Sequence, residues 1–366
     1  MRPVRGKRIF AALAAGGLTL AAAACGEAPA ENTGSNGGAS AAPTYSACMV
    51  TDVGGIDDRS FNASAWAGLQ AAKAAAPNID AKNTSSTAEA DYEPNLRAYV
   101  TQKCNFILAV GGLMGTATGK IAKESPDQQF AIVDAAVPDA SNVFPMQFAT
   151  EQAAFLAGYL AAGYSKTGKV GTFGGLKIPP VTVFMDGFAD GVAHFNKVKS
   201  KNVQVVGWNK QAQNGTFAES FTAQDKGKSI TDTLVAQGAD VIMPVAGGTG
   251  LGAADVAKGS AGKVAVIWVD TDGCKSAEQY CDTFLTTVVK NITGAVEEAA
   301  TKGAKGEPLT ATPGYLGTLE NEGVSLAPYN QFDSKVDPAL KAEVDKLKAD
   351  VIAGTVTVTS ANSPKK

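Results

Sequence analysis

The residues best suited to chemistry stand at the C-terminal ends of short apolar runs. Asp52 closes one within Thr51-Asp52-Val53-Gly54-Gly55, and Gly111-Gly112 follow Phe106–Val110. Asp134 ends a third run, Ala246-Gly247-Gly248-Thr249-Gly250 follow a fourth, and Asp270-Thr271-Asp272 end a fifth. An ionised carboxylate only accepts hydrogen bonds, so aspartates suit a ligand rich in hydroxyl or N–H donors. Glycines let a ligand approach the backbone closely. Each segment has a plainer reading alone: glycine pairs turn chains, and an aspartate after a strand caps a helix. Five on different strands converge in open parallel sheets, where ligands bind beyond the carboxyl ends.

Other chemistries find little support. His194 is the one histidine, which argues against a His-based metal site and against Ser-His or Cys-His catalysis. No G-x-x-x-x-G-K-[ST] loop exists. Gly247–Gly252 lacks the G-x-G-x-x-G spacing, and the acid expected about 20 residues on falls at Asp270 or Asp272, already strand ends. Asp57, Asp58 and Asp134 could offer carboxylates to Ca²⁺ in a nucleoside hydrolase, but such an enzyme also wants a catalytic histidine. His194 falls mid-helix and is expected at the surface. The junction Ile56–Asn62 reads as a capped helix start, with Asp58 or Ser60 capping and Phe61 stapled into the core. Alternatively Phe61 turns outward as a stacking face.

These residues need elements to position them. With 45% apolar and 18% charged residues, the 366-residue chain can build a sizeable core, and its length suits two domains. Strand-like runs are Cys48–Val53, Ile79–Thr84, Phe106–Val110, Phe130–Asp134, Val143–Phe148, Val170–Phe173, Val203–Trp208, Val241–Val245, Val264–Val269, Phe284–Val289 and a segment around Tyr315–Leu319. Helical stretches alternate with them: about Ser60–Ala76, with Trp66, Leu69 and Ala72 on one stripe, then Glu151–Tyr164, Val181–Asn196, Lys226–Gln237, Ala253–Lys258, Ile292–Thr301 and Pro338–Ile352. Repeated βα units imply parallel sheets covered by helices, and their number exceeds one sheet, so an α/β chain of two doubly wound lobes is expected.

The ends carry addresses rather than core. Residues 1–24 join a basic start to an apolar stretch too short for a comfortable membrane span, the pattern of an export signal. Ala22-Ala23-Ala24-Cys25-Gly26 resembles a bacterial lipobox, which implies a lipid on Cys25; the family pattern prefers Leu or Val where Ala22 stands. Residues 25–44, rich in Ala, Gly, Ser, Asn and Pro, read as a flexible tether. Residues 355–366 read as a polar, frayed tail. Removing the four positive charges of residues 1–24 from the formal net charge of −3 leaves −7, an acidic body unsuited to nucleic acid. Cys48, Cys104, Cys274 and Cys281 remain, and an even count in an exported chain fits disulfides with three connectivities. Placement at two strand starts and around one short loop favours Cys48–Cys104 and Cys274–Cys281.

Asp57-Asp58-Arg59-Ser60-Phe61-Asn62 with Trp66-Ala67-Gly68-Leu69 resembles the signature of the basic-membrane-protein lipoproteins, substrate-binding subunits of nucleoside ABC importers. Three further blocks resemble the same family in order. They are Gly171–Gly175 with Ile178-Pro179-Pro180-Val181, Phe184 and Gly187–Gly191; Gly238–Ile242 through Gly250; and Val269–Asp272 with Thr287–Lys290. The resemblance covers about residues 46–330. It implies a type I periplasmic-binding-protein fold, with two lobes and a hinge-closing cleft. It places 45–148 with about 274–318 in one lobe and 149–273 with about 319–354 in the other.

The resemblance also implies site roles. Asp52 would bind the base edge, with Asn62 in the ligand-binding set. Phe61 would stack on the base, and Phe221, with Phe217 as rival, on its opposite face. Asp134, Asp270 and Lys290 would hold the ribose, with Gly247 and Gly248 admitting it to the backbone. Asp272 is read as a loop cap. The resemblance implies no metal, cofactor or catalysis, and a monomer anchored on the extracytoplasmic face of the bacterial membrane with permease and ATPase partners. Several carboxylates and no arginine cluster point to free nucleosides over nucleotides. The alternatives are a sugar-binding or ligand-sensing lipoprotein of the same fold.

Overall fold

A computed structural model of the chain describes residues 43–364; the expected export signal, Cys25 and all but the end of the tether lie outside the described residues. The chain begins with β1 (Tyr45–Thr51), α1 (Phe61–Ala75), β2 (Ile79–Ser85), α2 (Tyr92–Thr101), β3 (Phe106–Val110), α3 (Gly115–Glu124), β4 (Gln129–Val133) and β5 (Val143–Phe148). It continues through α4 (Thr150–Tyr164), β6 (Lys169–Gly174), α5 (Pro179–Lys199), β7 (Gln204–Val206), β8 (Trp208–Asn209), β9 (Asn214–Gly215), α6 (Gln224–Ala236), β10 (Val241–Val245), α7 (Leu251–Gly259), β11 (Ala265–Asp270), α8 (Gly273–Ser276) and β12 (Phe284–Lys290). It ends with α9 (Ile292–Ala304), β13 (Tyr315–Gly317), β14 (Val324–Leu326) and α10 (Pro338–Ile352).

Strands buried on both faces cannot alternate polar and apolar residues, so they read as unbroken apolar runs. β3 (FILAV) and β10 (VIMPV) are of this kind, with every residue buried. The first sheet runs β13-β5-β4-β3-β1-β2, all parallel. The second runs β14-β12-β11-β10-β6-β7, parallel except where β14 lies antiparallel to β12. The result is the expected α/β architecture of two doubly wound lobes. Cys48–Cys104 ties β1 to the residue two positions before the start of β3, and Cys274–Cys281 closes the loop after β11.

The lobe boundary differs from the expectation that put 274–318 in the first lobe. β12 pairs with β11 and belongs to the second sheet. The chain returns to the first lobe only after Lys290, where α9 packs along α1 and β13 joins β5. It then crosses back to β14. The expected strand Val203–Trp208 also breaks at Gly207, because Trp208 turns into the β8–β9 hairpin. Its indole N–H donates to the buried Asp186 carboxylate at 3.0 Å, which also accepts from Gln213 Nε2 at 2.9 Å.

The tail is not frayed over its described length. Ser360 Oγ donates to Asp186 Oδ2 at 2.6 Å, Asn362 Nδ2 to Thr182 Oγ1 at 2.8 Å, and Ser363 Oγ to Glu151 Oε1 at 2.8 Å. Polar composition suggested fraying; the buried acids of α4 and α5 supply partners that composition does not reveal.

α4 is buried nearly all round and packs on α5 more intimately than any other helix pair. Glycines make this possible: a Cβ on Gly158 would lie 2.0 Å from the Phe188 carbonyl oxygen, and one on Gly191 2.0 Å from that of Phe155. Overpacking of a close-packed seam costs about 1–3 kcal/mol or more. Gly191→Ala should therefore lower the unfolding free energy by that amount, read in urea denaturation as a lower midpoint with the m-value unchanged. A wild-type midpoint would show that the seam can spread without loss.

Candidate functional site

Parallel pairing brings separate chain segments to one level. Thr51, Val110 and Val133 are aligned at the ends of β1, β3 and β4, so Asp52, Gly111 and Asp134 emerge side by side. In the second sheet Asp270 pairs with Val289, which brings Lys290 beside it. The two sets face one cleft between the lobes, lined by apolar and aromatic side chains with a few convergent polar groups, as small-molecule sites are. Asp52, Phe61, Asn62, Asp134, Phe221, Gly247, Asp270 and Lys290 all line it.

Gly248 does not line the cleft. Its turn instead holds the Phe221 loop, where Thr249 N donates to the Phe221 carbonyl at 3.0 Å. Between the two candidate rings the packing decides. Phe217 lies over Gly174 with its edge toward Trp208, ring centroids 6.0 Å apart, whereas Phe221 lies over Gly175 and faces the cleft. Asp272 accepts from Cys274 N at 3.1 Å, as a loop cap does.

Lys290 is the one cationic side chain in the lining. Only 3% exposed, it donates to Asp134 Oδ2 across the cleft and lies 3.9 Å from Asp270 Oδ1. Its ammonium also sits 4.8, 5.3 and 5.6 Å from the ring centres of Phe61, Phe148 and Phe184, the range of cation–π attraction. Asp134 and Asp270 both hold left-handed backbone, with φ of 63° and 69°. Such strain in non-glycine residues clusters at functional sites.

Asp52 Oδ1 accepts from Asn62 Nδ2 at 3.0 Å and from Gly54 N at 3.2 Å. That bond turns Asn62 Oδ1 away from Asp52, and this buried oxygen has no partner in the protein. Gly111, at φ 123°, makes room: a Cβ there would stand 2.3 Å from Asp52 Oδ2.

Sequence reasoning read Asp58 as a helix cap or as a Ca²⁺ carboxylate of a hydrolase, and left it out of the ligand-binding set. It does cap α1, accepting from Ser60 N, Asn62 N and Ala63 N at 2.8–3.0 Å, yet it also lines the cleft. Ser60 does not cap. Pro180, Val181 and Phe184 line the cleft as well. They stood within a family-like block, which is the signal that could have found them. Asp57 is exposed, and among the described residues no group of three or more His, Cys, Asp or Glu is arranged to hold a metal ion. His194 lies mid-helix and partly exposed, its ring 5.3 Å from Phe155, and outside the cleft lining.

Residues 45–355 match the family model of PnrA-like ABC transporter substrate-binding proteins. The chain belongs to this family. Among its PnrA-like relatives is the CD4+ T-cell-stimulating antigen of Listeria monocytogenes, 34% identical over 86% of this chain and 88% of that protein. The ABC transporter nucleoside-binding protein BmpA of Lactococcus lactis is 32% identical over 86% and 89%. The fold is similar to that of an ABC transporter solute-binding protein from Aeropyrum pernix, with a TM-score of 0.78 at 24% identity over 88% of this chain and 94% of that one. As a PnrA-like protein the chain is an extracytoplasmic substrate-binding subunit that works with permease and ATPase subunits. No helix among the described residues is long and apolar enough to cross a membrane.

Burial dominates the electrostatics of this PnrA-like cleft. It pushes Asp52 up to about 6 and Asp58 up to about 7, against the backbone and side-chain donors that oppose it. Burial also raises Asp134 and Asp270, and Lys290 counters it in both. A carboxyl with a folded pKa above its unfolded value near 3.8 binds an extra proton on folding. Its stabilising effect is full below the unfolded value and is lost as pH rises to the folded value. The ligand-free melting temperature should therefore fall between pH 4 and 7 and level off above. Asp58→Asn should flatten the upper part of that fall; an unchanged slope would remove Asp58 as a contributor.

Proposed function

We propose that this chain captures free nucleosides for an ABC importer, held at the membrane by a lipid on Cys25. The carrying observation is that Phe61 from the first lobe and Phe221 from the second line one cleft with Asp52, Asp134, Asp270 and Lys290. Two rings brought from opposite lobes suit a flat heterocycle. Each stack is worth roughly 1–3 kcal/mol, by analogy with single-stranded nucleic-acid binders. Asp52 and the unpartnered Asn62 Oδ1 offer acceptors to N–H groups on the base edge. Asp134 and Asp270 accept from vicinal ribose hydroxyls while Lys290 offsets their charge. Gly247 gives the ligand access to the backbone. The nucleoside-binding name of the lactococcal relative supports the same ligand class.

A phosphate would meet Asp52, Asp58, Asp134 and Asp270 with one lysine that is already paired, so nucleotides are disfavoured. The chemistry is capture and release, with the nucleoside leaving intact.

A thermal-shift screen tests this reading. Adenosine, guanosine or inosine should raise the melting temperature, as any ligand bound only by the folded state does, while ribose and adenosine monophosphate should not. Inosine recovered unchanged by chromatography is expected; free hypoxanthine would point to a hydrolase instead. Phe61→Ala should weaken nucleoside binding by about 1–3 kcal/mol in calorimetry while the protein stays folded. Asp270→Ala should cost the nucleoside more affinity than its 2′,3′-dideoxy analogue, and equal losses would remove Asp270 from the ribose.

A further inference from the structure

We propose that Arg59 and Ser60 form a clasp between the lobes that sets how long the ligand is retained. The inference rests on the nucleoside-capture reading and concerns residues outside the ligand contacts it assigns. The loop that carries them leaves β1 and enters α1, both in the first lobe, yet every long-range bond of these two residues reaches the second. Ser60 is fully buried; its Oγ lies 2.7 Å from Asp270 Oδ2, to which it donates, and 3.1 Å from the Val269 carbonyl oxygen. The indole N–H of Trp268 donates to the Arg59 carbonyl oxygen at 3.3 Å. Arg59 Nη1 donates to the Ser276 carbonyl oxygen at 3.2 Å.

Both halves of the clasp are held in place beforehand. On the first lobe, the three N–H groups donated to Asp58 fix the turn, and Arg59 keeps a left-handed backbone, φ 57°. On the second, the Cys274–Cys281 disulfide closes the loop that presents Ser276, and Gly273 N donates to Thr287 Oγ1 at 3.1 Å. Separating the lobes breaks all these cross-lobe bonds and strips Trp268 of its indole acceptor. Retention therefore depends on the clasp, whereas entry into open lobes does not. Ser60 additionally holds the carboxylate that the nucleoside reading places on the ribose, so it positions Asp270 without touching the ligand.

Stopped-flow release of inosine, followed by intrinsic fluorescence, tests the clasp. Ser60→Ala should speed release about tenfold and Arg59→Ala, an exposed contact, about threefold, with association rates unchanged. Arg59→Lys should restore part of the retention. The double variant Cys274→Ser/Cys281→Ser should speed release too, and should add little to Arg59→Ala because both act on one contact. Trp268→Phe should abolish the fluorescence change on binding while calorimetry still registers the ligand. Release at the wild-type rate in both Arg59→Ala and Ser60→Ala, or a fluorescence change that survives Trp268→Phe, would overturn the clasp. Should the wild type bind no nucleoside, the capture reading fails by itself. Hydrogen exchange of the free protein then decides: faster exchange over 57–63 and 271–277 in both variants upholds the clasp, and unchanged exchange overturns it.

Discussion

A single buried ammonium holds the two lobes' acids in one place. Four carboxylates line the cleft, three from the first lobe (Asp52, Asp58 and Asp134) and Asp270 from the second, and Lys290 is the only cation among them. Burying one carboxylate without a partner costs several kcal/mol, and four together repel one another as well. Lys290 answers the two at the ends of β4 and β11, and its ammonium lies among Phe61, Phe148 and Phe184. It comes from the second lobe and its partner Asp134 from the first, so the same contact compensates charge and joins the halves. Asp52 and Asp58 have backbone and amide donors instead of a cation, and burial outweighs those donors, pushing the two carboxyls up to about 6 and about 7.

That arrangement explains the strained backbone beside it. Asp134 and Asp270 occupy equivalent places, each just past or at the end of a parallel strand and each in left-handed conformation. The turn swings the carboxylate off the strand axis into the cleft. A glycine would adopt this conformation more easily but could not carry the acid. The cost, of order 1–3 kcal/mol for each, is borne by strands buried throughout in β11 and in all but the first residue of β4.

The parts visible in sequence were those governed by local pattern. Buried parallel strands show as apolar runs, so β3, β10 and β11 and their terminal acids and glycines stood out, and the alternation with helices carried the fold class. The parts hidden were those decided by contacts between distant segments. Nothing local distinguishes Phe217 from Phe221; the edge-on packing of Phe217 against Trp208 does. Asp58 looks like a helix cap because it is one, and its second position on the cleft wall depends on the opposite lobe. Strand Phe284–Lys290 gives no sign of which sheet it joins, and its pairing with β11 moved the crossover past Lys290. Residues 355–364 looked unstructured because their partners, Asp186, Thr182 and Glu151, lie 174 to 212 positions earlier.

The interior of the second lobe then determines where flexibility can reside. α4 and α5 meet through glycines with backbone almost touching backbone, a seam with no room to slide. Asp186 in α5 takes hydrogen bonds from Trp208 at the start of the β8–β9 hairpin, from Gln213 in its turn, and from Ser360 of the tail. The hairpin leads directly to the loop of Phe217 and Phe221, and Phe217 packs against Trp208. Helices, hairpin, tail and Phe217 are thus tied into one piece. Relative motion is left to the three chain crossings, after β5, after β12 and between β13 and β14. Two of these start from residues that touch the cleft charge, because Phe148 lies against the Lys290 ammonium and Lys290 is itself the last residue of β12. Whatever rearranges that charge acts directly at the points where the lobes pivot.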